Sequence, residues 1–148
     1  MVISKLNFEK INSRIFYIEE SLKNLYEIKK KGKETFLNDP ILISAAESNI
    51  RRALEAIFDI ARHILAKSYG YKDLEYKQMA KLLVKEKVLP ESYLSTLIKM
   101  AGYRNRLVHF YFEITPEELW EILEKNLSDF KEFLNLLNFF LMRVSSGI

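Results

Sequence analysis

Residues 39–70 read DPILISAAESNIRRALEAIFDIARHILAKSYG. Asp39 offers a side-chain oxygen to cap a helix, and Pro40 fits the first turn, where its missing N–H costs nothing. Ile50, Leu54, Ile57, Ala61, Ile64 and Leu65 then recur at helical spacing, and Gly70 supplies a stop. The stretch predicts one long central helix.

Working outward, the same punctuation recurs. Before the central helix, Phe8, Ile11, Ile15, Ile18, Leu22 and Leu25 step by three and four residues. Lys29, Lys30 and Lys31 then precede Gly32 at the end of the helix dipole that favours cations. After it, a shorter helix is predicted over Leu74 to Glu86. A fourth starts near Pro90, with Leu94, Leu97, Ile98 and Ala101 inward and Gly102 as a possible break. Thr115, Pro116 and Glu118 form a capping box that opens a last helix running to about Val144. The first, second, fourth and last helices are expected to pack along their apolar seams. No segment alternates with a period of two, so the expected fold is all-α, an up-and-down bundle of about five helices forming a single domain over residues 1–148.

Composition bounds the function. With 148 residues and 49% apolar content the chain can bury a core unaided. It has no cysteine, which excludes disulfides, thiolate metal sites and cysteine nucleophiles. The N-terminus lacks the apolar run of a signal peptide and no long uncharged segment follows, so the expectation is a cytoplasmic protein with no membrane contact. The net charge of +3, from 23 basic against 20 acidic residues, does not by itself indicate nucleic acid.

Chemistry concentrates in one place. Residues 101–114 read AGYRNRLVHFYFEI, gathering Arg104, Asn105, Arg106, His109 and Tyr111. On a continuous helix Arg104 and His109 would lie about 140° apart, with Asn105 between them and Tyr111 nearly above Arg104. Such an arc suits an extended ligand crossing the helix. Arginine can clamp a phosphate through its planar fork while a near-neutral imidazole moves a proton. RNA matches these groups: a 2′-hydroxyl deprotonated by His109 can attack the adjacent phosphate, with Arg104 stabilising the growing charge. This chemistry calls for no metal and no cofactor.

Arginine, four residues, histidine, one residue and tyrosine, here Arg104, His109 and Tyr111, resembles the signature of the HEPN superfamily, specifically its HepT-like toxins. The resemblance extends over roughly Asp39 to Leu137, including AAESNIRRALEAIFDIARHIL and LPESYLSTLIKMAGYRNRLVHFYFEI. It implies a metal-independent RNase toxin, acting as a homodimer whose two Arg104 and His109 pairs share a composite cleft, with Asn105 as the polar residue after the arginine. It also implies that a cognate minimal nucleotidyltransferase antitoxin adds AMP to Tyr111.

Plainer readings stand beside these. Arg104 could be a surface ion-pair residue, His109 a packing histidine and Tyr111 an aromatic of the core or of an interface. His63, among Ile60, Ala61, Ile64 and Leu65, is expected to be structural. Glu55 and Asp59 could pair with Arg104 or Arg51. The cluster Lys29 to Lys33 is most simply a solvated helix end. The alternatives to a nuclease are a non-catalytic binding subunit of a nucleotidyltransferase and a helical dimerisation module with a decayed site.

Overall fold

The computed structural model describes residues 6–145, and every regular element among them is helical. Helix α1 spans Phe8–Lys30, α2 Lys33–Leu37, α3 Pro40–Tyr69 and α4 Tyr76–Lys85. A 3-10 turn at Glu91–Tyr93 leads into α5, Leu94–His109. A second turn at Tyr111–Glu113 precedes α6, Pro116–Lys125, and α7, Leu127–Ser145. The protein is a helical bundle built around α3, against which α1 packs along most of its length.

The predicted caps form. Asp39 accepts from the N–H groups of Ile41 and Leu42 at 2.9 and 3.3 Å. Thr115 accepts from the Glu118 N–H at 3.2 Å, but the expected capping box is only half made, since the Glu118 side chain turns to Arg106 instead. Gly70 ends α3 in the left-handed region (φ 75°), donating to the Ala66 carbonyl at 3.0 Å while Tyr71 donates to Leu65 at 3.1 Å, which satisfies the last carbonyls of the helix. Ile11, Ile18, Leu22 and Leu25 of the α1 seam are buried, but Phe8, at its start, is exposed.

Three features differ from the sequence expectation. First, seven α-helices stand among the described residues where about five were expected, and one of the two extra is Lys33–Leu37, a helix of its own. Its Phe36 is fully buried and stacks at 5.5 Å on Trp120 of α6. Second, the last helix is broken. Asn126 leaves helical geometry (φ −118°, ψ 0°), closes α6 by donating its N–H to Ile122, and donates its side chain to Asp129 at 3.0 Å. An amide side chain that bonds locally competes with the continuing helix. Third, Gly102 does not interrupt α5, which runs through it to His109.

His63 is buried, as expected of a structural residue, and its Nε2 accepts the backbone N–H of Asn7 at 2.8 Å. Asn7 in turn caps α1, accepting from Lys10 at 3.0 Å. Burial, with Lys10 and Lys67 nearby, lowers the His63 pKa. One imidazole therefore ties the entry of α1 to the last third of α3.

Candidate nucleic-acid site

Helix α5 carries Arg104, Asn105, Arg106 and His109 on its last two turns. Arg104 is half-buried. Its Nη1 donates to Asn105 Oδ1 at 3.3 Å, and its guanidinium carbon lies 4.0 Å from the centre of the Tyr76 ring, at the start of α4. Its Nε is buried without a hydrogen-bond partner among the described residues. Arg104 and Asn105 are thus brought together.

The neighbouring arginines are held differently. Arg106 reaches α6, where Nη1 lies 3.1 Å from Glu118 Oε2 and Nη2 donates to Oε1 at 3.2 Å; this pairing raises the guanidinium pKa. Glu55 pairs with Arg51 at 3.2 Å, and Asp59 is shared by Arg14 and Arg62 at 3.2 and 3.6 Å. The expected pairing of Glu55 with Arg51 is found, and neither carboxylate serves Arg104. Tyr103, one residue before Arg104, faces the other way: it is largely buried and its hydroxyl pKa is raised, chiefly by that burial.

His109 is the last residue of α5 and is exposed, its ring edge-on to Phe110 at 6.5 Å. It makes no hydrogen bond to Arg104. Phe110 leaves the helix (φ −135°, ψ 35°), so the placement of Tyr111 almost above Arg104 is corrected. Tyr111 stands in the 3-10 turn beyond the helix, where the 100° step no longer applies, and is 59% exposed. Val108, Phe110 and Phe112 are exposed with it.

Two clefts open on the surface. One of about 480 Å³ is lined by Tyr103, Arg106 and Glu118 among others; one of about 820 Å³ lies between Pro90 and the C-terminal end of α7. Arg104, Asn105, His109 and Tyr111 line neither. Among the described residues no three His, Asp or Glu side chains are grouped to hold a metal ion. The residue that sequence reasoning missed is Tyr76. Its linear neighbourhood carries no signal of a role, since only the packing of α4 on α5 brings it under Arg104.

Comparison with known proteins agrees with the helical fold. The mRNA nuclease HepT of Shewanella oneidensis is 26% identical over 127 residues, 86% of this chain and 95% of that protein. The solved tri-AMPylated HEPN toxin of the same organism, in complex with its MNT antitoxin, superposes with a TM-score of 0.78 at 26% identity, covering 87% of this chain and 96% of that one. A toxin-antitoxin crystal structure with AMP-PNP gives 0.79 at 25% identity, covering 88% and 98%. The family model described as ribonuclease HepT-like matches residues 18–137, most of the length over which α1 to α7 pack, and this chain belongs to that family.

Proposed function

We propose that the protein is a metal-independent endoribonuclease, the toxin of a HEPN and minimal nucleotidyltransferase pair. The observation that carries this reading is the state of Arg104. It is fixed by Asn105 and by an aromatic face, with no carboxylate among the described residues to neutralise it, about one and a half turns before an exposed histidine. Family membership and the nuclease name of the Shewanella relative support it.

In the proposed reaction His109 accepts the proton of an RNA 2′-hydroxyl, and the 2′ oxygen attacks the adjacent phosphorus. The bond to the 5′ oxygen breaks. A 2′,3′-cyclic phosphate remains on one fragment, and the leaving oxygen takes a proton from the second histidine of a dimer. Arg104 faces the charge that grows on the phosphoryl oxygens. Asn105, bonded to Arg104, orients it toward the substrate.

The substrate groove is assigned to a two-fold homodimer. On a single chain the motif residues lie on open surface outside both clefts, beside exposed Val108, Phe110 and Phe112, whose cover by a second copy would wall the site. Regulation is assigned to Tyr111, whose exposed ring stands two residues beyond His109. Its oxygen attacks the α-phosphorus of ATP on the antitoxin, pyrophosphate leaves and the phenolic proton is lost. The added phosphate and base then obstruct the cleft mouth and attract Arg104 electrostatically. The AMPylated state of the Shewanella toxin supports this reading.

The test incubates the unmodified protein with total RNA in excess EDTA, beside Arg104→Ala and His109→Ala. Cleavage leaving cyclic phosphate ends, lost in both variants by at least about a hundredfold, is expected. Equal cutting of 2′-deoxy-substituted RNA would refute attack by the 2′-hydroxyl. With the antitoxin, ATP and magnesium, intact-mass spectrometry should find AMP on the wild type and none on Tyr111→Phe, which stays active. Silencing without modification would instead mean that the antitoxin controls the protein by simple binding.

A further inference from the structure

Arg14, Arg51, Arg62 and Arg106 each have a carboxylate oxygen within 3.6 Å. Arg104 is held by other means. A carboxylate fixes a guanidinium and cancels its charge in the same contact, whereas an aromatic face fixes it and leaves the charge nearly whole. A phosphate-binding arginine needs both a defined position and an undiminished charge.

The ring beneath Arg104 is itself firmly seated. Tyr76 is the first residue of α4, whose start is set by the Glu75 N–H donating to the Gln78 side chain at 2.8 Å. The ring stands edge-on to the fully buried Phe58 of α3, 5.1 Å away at an interplanar angle of 80°. Arg62, also on α3, lies 5.5 Å from the same ring, tethered by Asp59. Three helices therefore converge on one phenol, and the guanidinium nearest it, at 4.0 Å, is Arg104. Among the described residues its buried Nε has no acceptor to fix it, so the ring face and one amide contact hold the fork.

We propose that Tyr76 is a positioning residue for RNA cleavage. Its ring face orients Arg104 toward the phosphate before substrate arrives, so the fork is not reordered during the reaction. The proposal rests on the reading of Arg104 as the phosphoryl-stabilising group.

The experiment measures cleavage of a mixed-sequence oligoribonucleotide at limiting and saturating concentrations, in wild type, Tyr76→Phe, Tyr76→Leu and Arg104→Ala, with helical content checked for each. Tyr76→Phe keeps the face and should stay within about twofold of wild type, while Tyr76→Leu should lose about tenfold, chiefly at saturation. A graded series carrying phenylalanine, then mono-, di- and trifluorophenylalanine at position 76 keeps the shape and drains charge from the face. Its rate should fall stepwise, a readout that does not depend on Tyr76→Leu folding. A flat fluorine series, or Tyr76→Phe as impaired as Tyr76→Leu, overturns the proposal while an inactive Arg104→Ala leaves the site reading intact. Full activity in Arg104→Ala overturns both.

Discussion

Arg106 and Glu118 clasp α5 to α6 through a double contact, 3.1 Å from Nη1 and 3.2 Å from Nη2, only two residues from Arg104, which has no carboxylate partner among the described residues. Two arginines of one short segment thus have opposite electrostatic situations. Arg106 is tied to a carboxylate, and on the proposed function Arg104 is the one left for a ligand.

The contrast predicts different phenotypes. Arg106→Gln should lower unfolding free energy by less than about 1 kcal/mol, because the pair is more than a third exposed and solvent-screened, and should leave RNA cleavage near wild type. Arg104→Gln should do the reverse, with little change in the urea midpoint and loss of cleavage. Urea titration and initial rates on the same preparations check both.

His63 predicts a pH dependence. Its imidazole is neutral when it accepts the Asn7 N–H, and its folded pKa lies below the ordinary 6.5. The unfolded chain therefore binds the proton first as pH falls. The stability contribution is complete above pH 6.5 and is lost as pH drops from there through the folded value. Denaturation curves between pH 8 and 5 should show this fall for wild type and a shallower one for His63→Ala. That variant should also be weaker at neutral pH by about 1–3 kcal/mol, since a part-buried N–H loses its acceptor.

Phe36 tests the unforeseen helix. Fully buried and packed on Trp120, it should cost about 3–5 kcal/mol when cut to alanine, a large share of the stability of a domain this size. Thermal unfolding followed by circular dichroism measures it. A change under about 1 kcal/mol would mean that α2 is not docked as described.

Phe112 and Phe110 test the assembly. They are 74% and 49% exposed, so Phe110→Ser with Phe112→Ser should leave the fold unchanged. Sedimentation should show weakened dimers, and cleavage should fall in step with dimer content. Undiminished dimerisation would place the interface elsewhere.

The fold was legible where side chains act locally. Asp39 with Pro40, Thr115 with Glu118, and Gly70 each announce a terminus through bonds within four residues, and all three form. Asn126 was not read as a break, because an asparagine on a helix is unremarkable until Asp129 is seen to accept its amide. Lys33–Leu37 was passed over because five residues are too few for a periodicity, and its Phe36 is held by a residue 84 positions away. At the candidate site the motif spacing carried Arg104, Asn105 and His109 correctly onto one helix. It misplaced Tyr111 because no glycine or proline marks the end of α5. Tyr76 was invisible, since nothing in its neighbours in sequence refers to a residue 28 positions ahead.

The end of α5 at His109 also divides the motif between two kinds of backbone. Arg104 sits inside the helix, over a packed ring, while His109 belongs to a last turn closed by the Phe110 N–H on the Arg106 carbonyl at 2.9 Å. The last three residues of that turn, ending at Phe110, are exposed, so they can fray while Leu107, buried just before them, stays in the core. Amide protons there should exchange with solvent orders of magnitude faster than those of α3, at a free-energy cost far below global unfolding. On the proposed function, fraying would thus give the residue assigned to proton transfer a local off-state that the residue assigned to the phosphate lacks.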